Sequence, residues 1–196
     1  GHHRALRSIR RADVVALMID ASTPVSQVDK DLAGEISRLF KPVVLVVNKW
    51  DLAAGKTTGE AFADYFAKTL PEFSYAPVSL TAATEGLNVR RTIDLAEQLF
   101  VQANVRVPTA ELNRVIETIV QVRGPSHKTG TKPPKILYAS QISTAPPTIM
   151  CFVNDVRSFD TSYQRFMLNH IREHLPFAEV PIRLFFRQRR PPLGRQ

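Results

Sequence analysis

The chain has 196 residues, 44% of them hydrophobic and 22% charged, and 26 Lys and Arg outweigh 18 Asp and Glu to give a formal net charge of +8. That length and composition suit a soluble globular protein with one large core or two modest ones. A single cysteine, Cys151, excludes an internal disulfide, and no apolar run approaches the roughly 18 residues of a membrane span. The N-terminus lacks the apolar stretch of a signal peptide, so a reducing, cytoplasmic location is expected. The opening Gly1-His2-His3 in place of Met predicts a piece of a longer reading frame. The positive charge fits either a polyanionic partner or a basic, solvated surface.

In chain order, Arg4 to Arg11 reads as a basic helix, and Val14 to Ile19 is an unbroken apolar run ending in Asp20, the pattern of a strand buried on both faces. Gln27 to Phe40 carries Val28, Leu32, Ile36 and Leu39 at helical spacing. A second apolar run, Val43 to Val47, stops at Asn48. A helix from Glu60 to Leu70, a short strand from Ala76 to Leu80 and a helix marked by Val89, Ile93, Ala96 and Phe100 complete the first block. Alternating strands and helices predict a parallel α/β sheet, and three strands make only part of one.

Asn48-Lys49-Trp50-Asp51 follows the most strand-like segment, at the strand end where open α/β sheets bind ligands. An ionised Asp only accepts hydrogen bonds, so Asp51 suits the paired N–H groups on the Watson–Crick edge of guanine and not the acceptor ring nitrogen of adenine. Asn48 can offer its amide to the N7 side and brace the loop, and the aliphatic stem of Lys49 can lie across the base. Trp50 is expected to pack locally. The alternative for this tetrapeptide is an ordinary turn rich in Asn and Asp.

After the next strand comes Ser79-Leu80-Thr81-Ala82-Ala83. It resembles the Ser-Ala-Lys loop of the GTPase superfamily, which implies a backbone N–H from Thr81, Ala82 or Ala83 to the guanine carbonyl, with Ala83 where Lys is common. The chain has no phosphate loop of the form G-x-x-x-x-G-K-[ST], and its one Asp-x-x-Gly string, Asp31-Leu32-Ala33-Gly34, lies inside the predicted helix from Gln27 to Phe40 and not at a strand end where a γ-phosphate sensor would stand. Gly55-Lys56-Thr57 imitates the end of a phosphate loop, but it follows the base-reading motif and is not expected to hold phosphate. The matching elements are expected upstream of Gly1, so no catalytic residue and no metal ligand is assigned to this chain.

The second block begins near Val105 to Thr109. Thr109 is expected to cap a helix with Leu112, Val115, Ile116 and Ile119 on one face. A Gly/Pro-rich basic loop runs from Arg123 to Lys135. Strands follow at Ile136 to Ile142 and Ile149 to Val153, joined through Ala145-Pro146-Pro147. Asp160 or Thr161 caps a helix with Tyr163, Phe166, Met167 and Ile171, and Pro181 opens a strand through Arg187. The order α-β-β-α-β predicts an α+β unit with helices on one sheet face. His170 and His174 stand at i, i+4, a spacing that could bind metal but lacks a third ligand, so packing is the expected role.

Lys135-Ile136-Leu137-Tyr138-Ala139-Ser140-Gln141, Pro146-Pro147-Thr148, Phe152-Val153-Asn154, Ser162-Tyr163, Phe177 and Pro181-Ile182-Arg183 resemble the C-terminal KH-like domain of the Der (EngA) GTPases. Arg10-Arg11-Ala12-Asp13 through Asn48-Lys49-Trp50-Asp51-Leu52 resembles the second G domain of that family. The resemblance implies a partial P-loop GTPase G domain over residues 1–105, a KH-like domain over 106–190 and a basic tail over 191–196. It further implies GTP or GDP as ligand, magnesium held by upstream segments, and a cytoplasmic role in assembling the large ribosomal subunit. No GxxG loop is present; Arg183, Phe185, Arg187, Arg189 and Arg190 instead offer either a basic face with an embedded aromatic for RNA or a sheet face that docks on the G domain with its arginines paired to acidic groups. The alternative functional reading is a non-enzymatic ribosome- or RNA-binding module with a degenerate G domain.

Overall fold

A computed structural model of the chain describes residues 1–189. Its backbone contacts divide it into two units, Gly1–Ala103 with Glu179–Pro181, and Asn104–Ala178 with the chain from Ile182.

The first unit is built on the two apolar runs. Strands β1 (Val15–Asp20) and β2 (Val43–Asn48) pair in parallel, with Asp20 opposite Asn48, and β3 (Val78–Leu80) adds in parallel on the far side of β2. Parallel neighbours need a crossover, and helices supply each one. The basic helix α1 (His2–Arg11) precedes β1; α2 (Gln27–Arg38) returns the chain to β2; α3 (Trp50–Ala53) and α4 (Gly59–Thr69) return it to β3; α5 (Val89–Asn104) follows. Helix α2 starts at Ser26 in a capping box: the Ser26 hydroxyl accepts from the Asp29 N–H, and the Asp29 carboxylate accepts from the Ser26 N–H. Ile36, Val43, Leu45, Val47, Phe66 and Leu70 close the core, each contributing roughly 1.5–3 kcal/mol by burial. β1 lies at the sheet edge, with Met18 57% exposed.

The second unit follows the expected order. Helix α6 (Thr109–Val122), strands β4 (Ile136–Ser143) and β5 (Thr148–Val153), helix α7 (Thr161–His174) and strand β6 (Arg183–Gln188) form a mixed sheet of order β4-β5-β6. β4 and β5 are antiparallel; β5 and β6 are parallel. Leu112, Ile116, Ile119, Ala139, Ile149, Cys151, Val153, Met167 and Ile171 are buried between helices and sheet. Asn113 ties α6 to β4 by pairing with both backbone groups of Ala139, at 2.8 and 2.9 Å. Asp160 caps α7 by accepting from the Tyr163 N–H at 2.8 Å.

Local readings shift in three places. Pro108, not Thr109, is the N-cap of α6: its extended backbone turns into the helix, its carbonyl accepts the first bond from the Leu112 N–H, and the Thr109 hydroxyl makes no cap bond. The third strand is shorter than its apolar run, spanning only Val78–Leu80. The Asn48–Asp51 tetrapeptide runs from the end of β2 straight into a helical turn, because Lys49 adopts left-handed φ 58 and ψ 34 and caps α3.

Candidate functional site

The C-terminal ends of β1, β2 and β3 bring Asp20, Asn48 and the loop after Leu80 to one edge of the parallel sheet. Asn48 joins two of these ends. Its side-chain oxygen accepts from the Thr81 hydroxyl at 3.1 Å and from the Ala83 N–H at 3.1 Å. The backbone repeats the tie, with the Thr81 N–H donating to Val47 at 2.8 Å and the Trp50 N–H to Thr81 at 2.9 Å. The loop is closed beyond them by an Ala82–Leu87 bridge and by Asn88, whose side-chain amide donates to the Leu80 carbonyl at 2.7 Å.

Left-handed Lys49 turns its ammonium toward Asp20, 2.5 Å away. Asp20 also accepts from the Ser22 N–H at 2.8 Å and the Ser22 hydroxyl at 2.6 Å. These donors, Lys49 first, hold the Asp20 carboxyl down at about 2, because each stabilises the ionised form. Asp51 sits in the first turn of α3, exposed, and its carboxylate makes no hydrogen bond or ion pair among the described residues. Trp50 meets the edge of Phe62, ring centroids 5.6 Å apart, and so packs α3 onto α4.

Of the six residues expected at this site, Asn48 ends β2, Lys49 and Asp51 stand at the start of α3, and Thr81, Ala82 and Ala83 lie on the loop after β3 that Asn48 holds. Sequence reasoning missed Asp20 and Asn88. Asp20 carried a usable signal, since it ends the strand that precedes the Asn48 strand and falls in the same register position. Asn88 gave none, because its role depends on a positive φ of 56 and on the fold of the loop. Gly55, with φ 92, and Lys56 lie in a tight turn closed by the Ala54–Thr57 bridge before Thr58 caps α4.

In the second unit Arg183, Phe185 and Arg187 alternate along the exposed face of β6, with the Arg183 guanidinium 5.2 Å from the Phe185 ring centre. Arg189 lies 5.8 Å from the ring centre of Tyr138. Arg190 lies outside the described residues. His170 and His174 each engage a backbone carbonyl one turn back, at 3.0 and 2.8 Å, and their rings are parallel to within 6°.

A parallel α/β unit with a braced Asn-Lys-x-Asp turn, followed by an α-β-β-α-β unit, defines a G-domain-like fragment joined to a KH-like domain. Residues 106–187 match the family model described as the KH-domain-like C-terminal part of EngA bacterial GTPase enzymes, and nearly the whole chain is similar to the C-terminal part of the Der GTPases. It is 42% identical over 189 residues to GTPase Der of Rhodopirellula baltica, covering 96% of this chain and 41% of that protein. It is 37% identical over 187 residues to GTPase Der of Halothermothrix orenii, covering 95% and 42%. The chain thus spans about two fifths of the length of these curated relatives. Among solved structures it is similar to Era in complex with MgGDPNP and a 16S ribosomal RNA fragment. That match has a TM-score of 0.41 and 17% identity, and covers 94% of this chain and 68% of that one. No helix among the described residues is long and apolar enough to cross a membrane.

Proposed function

We propose that the chain is the guanine-reading part of a Der-like GTPase, joined to a KH-like docking domain that acts in assembly of the large ribosomal subunit in the cytoplasm. The observation that carries this reading is the pair of hydrogen bonds that the Asn48 side-chain oxygen accepts from Thr81 and Ala83, which holds two loops together while leaving the Asp51 carboxylate free of protein partners. Guanine offers two N–H groups side by side, and a free carboxylate accepts both. Asn48 spends its oxygen on the loop and keeps its NH2 for the N7 side. Lys49, tethered by Asp20, lays its methylenes beneath the base. The Thr81 and Ala83 N–H groups are already bonded at 2.8 and 3.1 Å, whereas that of Ala82 is held only at 3.4 Å by Leu87. The guanine carbonyl therefore falls to Ala82, at the expense of the Leu87 bond.

Phosphate binding, magnesium and hydrolysis belong to segments that pack upstream. The open edge of β1, with its exposed Met18, supports their addition as a further strand. Arg183, Phe185, Arg187, Arg189 and Arg190 form the basic stretch of the KH-like unit that meets ribosomal RNA. The test is GTP turnover. The complete protein hydrolyses GTP with magnesium and loses nucleotide affinity on Asp51→Ala, while the 196-residue chain alone turns over none. Magnesium-dependent hydrolysis by this chain alone, abolished by Asp51→Ala, would overturn the assignment of the catalytic parts to upstream segments.

A further inference from the structure

The outer face of the second sheet combines aromatic rings and arginines across all three strands. Tyr138 of β4 stands opposite Phe152 of β5, and their rings stack with centroids 4.4 Å apart and planes 18° from parallel. Phe152 is in register with Arg187 of β6, and Arg189 reaches over Tyr138. The next row on the same face runs Ser140, Met150, Phe185, with Arg183 over the Phe185 ring. Phe186 fixes the sidedness, since it stacks on Phe159 at 4.9 Å and so lies on the opposite face. Tyr138 and Phe185 are each 40% exposed. The three strands contain no Asp or Glu.

We infer that this face is a single-stranded RNA platform, on which unpaired bases stack against Tyr138–Phe152 and Phe185 while Arg183, Arg187 and Arg189 take the intervening phosphates. The inference rests on the reading of this unit as an RNA-docking module and gives it a substrate class. Successive rows on one face are two strand residues apart, about 6.8 Å, a step that an extended strand spans and a stacked duplex does not. Every base has a π-face, so the platform is tolerant of sequence. In a duplex the π-faces are covered by neighbouring bases, so only the phosphate contacts would remain. The site differs from the loop-and-helix clamp of KH domains, for which this chain lacks the GxxG loop.

The test uses the whole chain and a mixed-sequence RNA of about 10 nucleotides carrying one 2-aminopurine, single-stranded or annealed to its complement. Binding is followed by anisotropy between about 50 and 200 mM salt. The single strand binds about tenfold more tightly than the duplex, and 2-aminopurine emission is quenched as the base stacks. Phe185→Leu, which preserves apolar bulk at an exposed position, weakens single-strand binding about tenfold with the salt slope unchanged. Arg187→Gln weakens both forms and lowers the slope by about one. Equal affinity for single strand and duplex, with Phe185→Leu neutral and no quenching, would overturn the platform but leave the docking of RNA by this unit standing. No binding of either form would overturn both. Guanine recognition is read separately, by nucleotide binding to the complete protein.

Discussion

Asn48 and Ala83 are 35 positions apart in the chain, yet the Ala83 N–H donates to the Asn48 side-chain oxygen at 3.1 Å. One short amide thereby couples the loop that leaves β2 to the loop that leaves β3. A longer or charged side chain could not sit at the strand end and accept twice while keeping a donor in reserve.

Asn48→Ala removes both bonds and leaves the Ala83 N–H without its partner. Amide exchange at Ala83 accelerates about five- to thirteenfold, as expected for loss of a hydrogen bond worth about 1–1.5 kcal/mol. Exchange at Thr81 changes little, since that N–H donates to the Val47 carbonyl. Equal acceleration at both positions would mean that the strand end itself, and not the side-chain brace, had come apart.

The alternation of strands and helices was legible because buried parallel strands read as unbroken apolar runs, as in Val43–Val47, and because Leu112, Ile116 and Ile119 repeat at helical spacing. The position of Asn48, Lys49 and Asp51 at a strand end was legible because an Asn-Lys-x-Asp sequence directly follows such a run, and Thr81, Ala82 and Ala83 were picked out only by their resemblance to the Ser-Ala-Lys loop. What the sequence could not disclose was contact between distant positions: the Lys49–Asp20 pair depends on a left-handed residue, and Asn88 acts only through the folded loop. The aromatic rows of the second sheet depend on register, including the shift in β4 that brings Tyr138 opposite Phe152.

The Asp20–Lys49 pair predicts a pH dependence. The folded carboxyl is lowered to about 2 from an ordinary 3.8. Its contribution is therefore present above about pH 4 and is lost as pH falls through the interval from 4 to 2, where the unfolded carboxyl binds a proton and the folded one still does not. Both groups are solvent-exposed, so the effect on global stability is small. A carboxyl ¹³C titration should place Asp20 near 2 in the native chain, and Lys49→Met should raise it toward 3.8 but not fully, because Ser22 still donates twice. A midpoint unmoved by Lys49→Met would show that Ser22 alone holds the charge.

Gln141 anchors the segment leading into the second unit. Its side chain is buried, accepts from the Val107 N–H at 2.9 Å and donates to the Val105 carbonyl at 2.9 Å. Gln141→Leu fills similar space but strands both groups, at a cost of about 1–3 kcal/mol each when buried. The two units carry separate reporters. Cys151 is buried in the second, its thiol pushed up to about 12 by desolvation, and Trp50 lies in the first. In urea, Gln141→Leu should advance thiol labelling of Cys151 to lower denaturant while the Trp50 fluorescence transition stays in place. A parallel shift of both would show that the units unfold as one.

Asp51→Asn in the complete protein separates base reading from simple loop stability. The carboxylate accepts at both oxygens, whereas an amide must present one donor and one acceptor. Facing guanine, the new NH2 meets either the ring N–H or the exocyclic amino group, donor against donor, and one charge-assisted bond is lost outright. That costs about 2 kcal/mol or more, so GTP affinity should fall at least about thirtyfold. Xanthine carries a carbonyl where guanine has the amino group, and there the amide donor is matched and the acceptor keeps the ring N–H. Affinity for xanthosine triphosphate should therefore rise in the same variant, measured by competition against a fluorescent nucleotide. If Asp51→Asn weakened both nucleotides alike, Asp51 would be holding the turn at the start of α3 and not reading the base, because damage to the loop carries no preference for either purine.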